Sequence, residues 1–444
     1  MNIKKALLRT TMIVATGMFA CVGTAMAQAN TVQVGGCRSN LANYPTIQAA
    51  VNAAPAGGTV DVCPGTYPEQ VTIALQLTVI GITSGTTDAA VIVPPTSGMV
   101  QSGTDINGNP VYAQIFVSNV PAGVTLSHLI IDGTGNNVTG CGNLLEGIYY
   151  QDASGVITDD VVRNQYQTDF TDFGGCQNGL AINVESNNSS PAITISNNYV
   201  SSYQKNGITA SGPSSASFGP SVTIQGNYVV GLAATAMNWI SNAPAAENGI
   251  QVGFGASGKI ASNNVIDDIW ESDTSSDTGD AASGILVYAS TGITVSGNVV
   301  GSTQFGIAIV TGSTPADGAV VTGNKVFGTQ LFDAIDLCSN GDEAQGNFLY
   351  GNAESGVHAD STCGSTGTGA TIKGNVISGS CAGVLNGGGG AVGSNTYLND
   401  THTVLSGNSC PISAGGTAIK QAASAQKSQS RPRPSPFIPG GKKY

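Results

Sequence analysis

Of the three histidines in the 444-residue chain, His358 has acids both beside it and about one repeat away. Asp360 follows two positions later, and Asp333 and Asp336 stand before it at a distance close to the repeat length described below. A carboxylate beside an imidazole can take up and return a proton, and two facing carboxylates can act as acid and nucleophile in hydrolysis. The four groups work together only if the fold places positions one such interval apart side by side. Otherwise they are polar decoration on a solvated face. A second concentration of oxygen donors runs through Asp267, Asp268, Glu271, Asp273, Asp277 and Asp280. Asp267, Asp268 and Glu271 are the candidate calcium ligands there, although their spacing is not that of an EF-hand; a solvated acidic loop is the alternative. No other cofactor is implied. Tyr149, Trp239 and Trp270 offer aromatic faces for a sugar ring, or serve only to pack their loops. Asp159, Asp160, Asp169 and Asp172 follow Tyr149 and Tyr150 and could line the same groove.

The element that could align such residues is a repeat. An apolar strand ending in Asn recurs as Ile195-Ser-Asn-Asn198-Tyr-Val200 and Ile224-Gln-Gly-Asn227-Tyr-Val229, then at Asn264, Asn298, Asn324, Asn347 and Asn375, in steps of 29, 37, 34, 26, 23 and 28. Between these lies a small residue followed by alternating apolar positions, as in Gly249-Ile-Gln-Val, Gly306-Ile-Ala-Ile and Gly356-Val-His-Ala. Short period-two strands returning at intervals of roughly 22 to 28 residues, stretched by insertions, define a solenoid of about ten coils. Asn tolerates the left-handed turn and can hydrogen-bond its counterpart one coil away, so a ladder of Asn is expected. His128 is expected at one such ladder position. The residues two beyond each Gly or Ala should stack on one face: Tyr149, Ala181, Thr209, Gln251, Leu286, Ala308, Asp336, His358 and Leu385. That register makes Asp336 and His358 neighbours.

Composition agrees. The chain holds 61 Gly and 35 Asn but only 9% charged residues, too few to coat the outer faces of long amphipathic helices. Residues 1–27 read as a secretory signal: Lys4, Lys5 and Arg9 precede an apolar run that ends at Ala25-Met26-Ala27. Residues 420–444 form a basic tail rich in Pro and Ser with little to bury. The domain between, residues 28–419, carries six basic residues against 27 acids, near −21, which disfavours nucleic acid as a partner. No run of apolar residues is long enough for a membrane span. A secreted, periplasmic or cell-surface bacterial protein, monomeric, is expected. Eight cysteines follow the signal. Pairing in sequence order gives Cys37–Cys63, Cys141–Cys176, Cys338–Cys363 and Cys381–Cys410, four loops of similar length and one of 105 possible connectivities. Thr46-Ile47-Gln-Ala-Ala50-Val51-Asn-Ala-Ala54 places Ile47, Ala50, Val51 and Ala54 on one helical face, and Pro55 stops it; this short helix caps the solenoid at its N-terminal end.

The opening Thr46-Ile47-Gln48-Ala49-Ala50-Val51, followed by Val60-Asp61-Val62-Cys63-Pro64-Gly65-Thr66-Tyr67-Pro68-Glu69, resembles the start of pectin-lyase-like proteins. That resemblance implies an all-β fold, a right-handed parallel β-helix with three sheets, and mostly carbohydrate-active members, hence a polysaccharide partner. Disulfides one coil apart would then join neighbouring coils. The catalytic motifs of pectinesterases, polygalacturonases and alginate epimerases are absent; Asp169-Phe-Thr-Asp172 and Asp159-Asp160 are partial echoes. Lyases need a basic group near the substrate carboxylate, which a chain with six coil cations supplies poorly. Two functions follow: a polysaccharide hydrolase or lyase working in a groove, or a non-catalytic glycan-binding or structural β-helix at the cell surface.

Overall fold

The computed structural model describes residues 30–167, 178–213, 218–231, 247–269, 282–312, 314–362 and 369–410. The signal, the basic tail, Trp239, Trp270, Glu271, Asp169, Asp172, Cys176 and Cys363 lie outside these residues.

Alternating apolar residues make short strands, and every coil supplies one strand to each of three sheets. The sheets hold 14, 12 and 13 strands, paired in parallel along the axis except for one antiparallel hairpin strand, Gly103–Thr104. The fold is the expected β-solenoid, with its coils numbering nearer twelve than ten. One inward column runs Val200, Val229, Val265, Val300, Val326 and Leu349, each at most 1% exposed and each in register with the next. Burying such a side chain contributes roughly 1.5–3 kcal/mol, so a stack of coils is held although no coil could stand alone. The recurrent small residue has a packing cause. A Cβ on Gly306 would lie 2.3 Å from the Ala334 carbonyl oxygen and 2.4 Å from Val326 Cγ1.

The N-terminal cap is the helix Ile47–Ala53, which buries Ile47, Ala50 and Val51. Thr46 Oγ1 accepts from the Ala49 amide, and the Glu69 carboxylate accepts from the amides of Ile47 and Gln48, so three otherwise orphaned donors are satisfied. Cys37–Cys63 forms beside it, and Cys381–Cys410 forms near the other end, with Cα separations of 5.6 and 6.2 Å. Cys141 and Cys338 are also disulfide-bonded.

The asparagine ladder forms as Asn198, Asn227, Asn263, Asn298, Asn324, Asn347, Asn375 and Asn395. Each backbone amide, and each side-chain amide as well, donates to Oδ1 of the next Asn; Asn298, for instance, accepts from Asn263 N at 2.9 Å and from Asn263 Nδ2 at 3.0 Å. Two register expectations need correction. Asn263, not Asn264, is the ladder residue, because Asn264 opens the strand Asn264–Ile266. Leu129, not His128, occupies the ladder register, its amide donating to Asp160 Oδ1, while His128 takes the left-handed turn one residue earlier at φ 59°.

Candidate functional site

Two strands of the third sheet carry the site: Ile335–Cys338 and Ser355–Ala359. Asp336 pairs in register with His358, and the stack continues to Ala308 on one side and Leu385 on the other, as the repeat implied. The expected stack fails at one residue. Asn183, not Ala181, lies beside Tyr149, because Ala181 fills the small-residue slot beside Gly147 and Gly179 belongs to the preceding turn at φ +78°.

Asp333 sits just before the first strand and Asp360 just after the second, so both converge on His358. His358 Nδ1 lies 3.1 Å from Asp333 Oδ2 and 4.0 Å from Asp336 Oδ1, and Nε2 lies 3.9 Å from Asp360 Oδ1. Ser355 Oγ donates to the other Asp333 oxygen at 2.6 Å, and Thr362 donates to Asp360 through both amide and hydroxyl. All four residues are buried, 2 to 7% exposed. Asp336 Oδ1 and His358 Nε2 are buried without a hydrogen-bond partner.

The electrostatics follow from that crowding. Burial alone would lower the His358 pKa, but the Asp333 hydrogen bond and the charges of Asp333, Asp336 and Asp360 outweigh it and hold the imidazole at about 9. Asp336 is held well above the usual carboxylate range by burial and by Asp333, Asp360 and Glu354, with His358 opposing. Glu354, whose carboxylate accepts from the Cys410 amide at 3.1 Å, is pushed up to about 7 by burial and by Asp333. The crowding of buried acids therefore favours a protonated carboxyl beside a charged imidazole.

Ser355, Glu354 and a stacked pair of partly exposed rings, Phe305 and Phe332, with centroids 4.3 Å apart, complete the surroundings and were not singled out from the sequence. Phe332 immediately precedes Asp333, so the hydrophobic letter next to a candidate acid was the available signal.

The other candidates lie elsewhere. Tyr149 is fully buried, stacks on Phe116 with centroids 5.3 Å apart and donates to Glu185 Oε2 at 2.7 Å. Six register steps separate Tyr149 from Asp336, about 29 Å at ~4.8 Å per strand, so it does not line this site. Beside it, Glu146 is buried with one oxygen unpartnered, and burial together with Glu185 holds its carboxyl well above the usual range. Asp160 is fully buried at the head of the asparagine ladder rather than in a groove. Asp268 is buried in a turn and accepts from the Tyr203 hydroxyl. Asp267 occupies the left-handed position before it, at φ 65°. The third calcium candidate, Glu271, lies outside the described residues. The groups of His, Cys, Asp and Glu close enough to share an ion among the described residues are Asp333 with Asp336 and His358, and Asp336 with Cys338 and Asp360.

Residues 178–348 match the family model described as "Right handed beta helix region". No curated protein matches the chain in sequence. Among solved structures, a GH136 lacto-N-biosidase from Eubacterium ramulus superposes with a TM-score of 0.58 at 11% identity, over 84% of this chain and 67% of that one. The A-module of the mannuronan C-5 epimerase AlgE4 from Azotobacter vinelandii gives 0.42 at 16% identity, over 81% and 92% of the two chains. The catalytic unit of a thermostable GH87 alpha-1,3-glucanase from Streptomyces thermodiastaticus gives 0.41 at 14% identity, over 82% and 65%. The chain is a right-handed parallel β-helix protein. That is the fold which the resemblance of the opening segment implied. No helix among the described residues is long and apolar enough to cross a membrane.

Proposed function

We propose that this protein is a secreted polysaccharide-active enzyme that hydrolyses a glycosidic bond at Asp333, Asp336, His358 and Asp360. The observation that carries the reading is the pairing of Asp336 and Asp360 across neighbouring coils, with carboxylate oxygens within 4.8 Å of each other and an imidazole beside both. Asp336, buried and surrounded by other acids, donates its proton to the glycosidic oxygen as the bond to the anomeric carbon breaks. Asp360 attacks that carbon from the opposite face and forms a glycosyl ester. Water, losing a proton to the Asp336 carboxylate, then hydrolyses the ester and restores both groups. So short a separation suits retention of configuration; inversion needs carboxyls about 6.5–9.5 Å apart to admit water. Asp333, fixed by Ser355, orients His358. The Phe305–Phe332 pair offers partly exposed rings on which a sugar can pack. Hydrolysis is favoured over elimination because the cluster supplies two carboxyls for the acid and nucleophile roles, while Arg38, Arg163 and Lys373 are ion-paired with Asp61, Asp132 and Glu343. The carbohydrate-active proteins that the opening segment resembles, and the disulfides, fit a secreted glycan enzyme.

One observation favours the second reading, a non-catalytic β-helix that binds glycan at the cell surface: the four groups are buried, which leaves little of them open to a sugar. A panel of polysaccharides, assayed for released reducing ends and for absorbance of unsaturated products, tests both. Reducing ends without unsaturated product support the hydrolase. Glycan binding without turnover supports the second reading.

A further inference from the structure

We propose that Asp333, Asp336 and His358 bind one divalent transition-metal ion, with Zn²⁺ the preferred species. The inference concerns the cluster described above in a metal-bound form, in which Asp336 is a ligand and not the proton donor, and its tests do not depend on glycan cleavage.

The spacing of the donors is that of a coordination shell. One ligand atom from each residue lies within 4.8 Å of the other two. From His358 Nδ1 the distances are 3.1 Å to Asp333 Oδ2 and 4.0 Å to Asp336 Oδ1. Ligands held about 2.0–2.2 Å from a tetrahedral Zn²⁺ stand about 3.4 Å apart, so the two distances bracket the required edge. The ion takes the place of the Asp333–His358 hydrogen bond.

Independent of the acid cluster itself, unpaired buried atoms point to a ligand. Asp336 Oδ1 has no hydrogen-bond partner in a residue only 5% exposed. Leaving such an oxygen desolvated and unpaired is costly, and a cation removes the cost. One outer group matches those around bound metals: Ser355 Oγ donates to the Asp333 oxygen that does not face the imidazole, while Asp360 lies 3.9 Å from His358 Nε2, beyond hydrogen-bond reach. The donor set selects the ion. Ca²⁺ takes six to eight oxygens, whereas an imidazole with two carboxylates suits Zn²⁺ and its first-row neighbours. The other trio, Asp336, Cys338 and Asp360, is no rival, because Cys338 is disulfide-bonded and its sulfur is not a thiolate.

The test uses the full-length chain, stripped with a chelator and titrated calorimetrically with ZnCl₂. One ion should bind per chain. Asp336→Asn and His358→Gln should weaken binding at least tenfold and Ser355→Ala roughly tenfold, as loss of a group that orients a metal ligand does, while Asp267→Asn should bind like wild type. X-ray absorption on the Zn²⁺-loaded wild-type protein should show one imidazole with oxygen donors and no sulfur, a readout that needs no variant to fold. Absence of binding, unchanged affinity in both Asp336→Asn and His358→Gln, loss of binding in Asp267→Asn, or an absorption spectrum without imidazole overturns the proposal. None of these readouts involves glycan turnover, so failure of the hydrolase reading is told apart from failure of this one.

Discussion

Asp336 and His358, one coil apart along the chain, face each other across a parallel strand pair with Oδ1 and Nδ1 separated by 4.0 Å. Only a coil of that length brings them together, and Asp333 and Asp360 enter the same space from the turns on either side. Asp336→Asn and Asp360→Asn should each lower glycan turnover by about 10²–10⁴-fold, the usual loss when a positioned proton donor or nucleophile is removed. Steady-state kinetics checks this, with thermal melts confirming the fold. Full activity in both variants would falsify the assignment.

The asparagine ladder should be worth more than its exposed counterparts. Asn298→Ala removes the oxygen that accepts both Asn263 N and Asn263 Nδ2, and also the donor to the Ile260 carbonyl. Orphaning buried donors costs about 1–3 kcal/mol each, so a loss of roughly 2–4 kcal/mol is expected in urea unfolding. A loss below about 0.5 kcal/mol, the range of ordinary surface substitutions, would show that the ladder decorates the coil without holding it.

Stability should fall as pH rises through the mildly acid range. Burial pushes the Asp342 carboxyl up to about 6, against hydrogen bonds from Ser339 and Ala319 that favour its ionised form. The folded chain then holds this proton more tightly than the unfolded chain, whose carboxylates titrate near 4. The contribution is fully present below about pH 4 and is lost as pH rises through about 6. Asp342→Asn should flatten part of that decline in urea melts taken at pH 4, 5, 6 and 7. An identical slope in the variant would remove Asp342 from the account.

Peptide mapping of the oxidised protein should recover Cys141–Cys176 and Cys338–Cys363 beside the two bridges already described. A double Cys37→Ser, Cys63→Ser variant should lose about 2–4 kcal/mol, since the bridge spans a sequence separation of 26 next to the cap. Free thiols at Cys176 or Cys363 in the wild-type protein would disprove the sequential pairing.

Much of this architecture could be read from the sequence because the repeat is rigid where it matters. Counting from each small residue placed Asp336 against His358, since a residue with no room for a larger side chain recurs at the same point of the coil. The count slipped at Gly179, a glycine serving a left-handed turn, which shifted the expected neighbour of Tyr149 from Asn183 to Ala181. It slipped again at the Asn263-Asn264 doublet, where two identical letters compete for one slot. Glu146 and Glu185 were not legible because the repeat pattern counts small and apolar residues, and neither glutamate is one. Ser355 escaped because its value lies in the orientation it imposes on Asp333, and such a relation has no signature in spacing.

The hydrogen bonds between strands all run along the solenoid axis, so a load applied to the two ends pulls directly on them. Coils would part in succession, and the single step from Asn324 to Asn347, a separation of 23, would release about 80 Å of extended chain. Cys37–Cys63 and Cys381–Cys410 staple the regions nearest the two ends, and Cys141 and Cys338 are disulfide-bonded as well, so rupture would begin in coils that no bridge spans. Tugged between two anchorages, the molecule would lengthen in steps and absorb work before it failed.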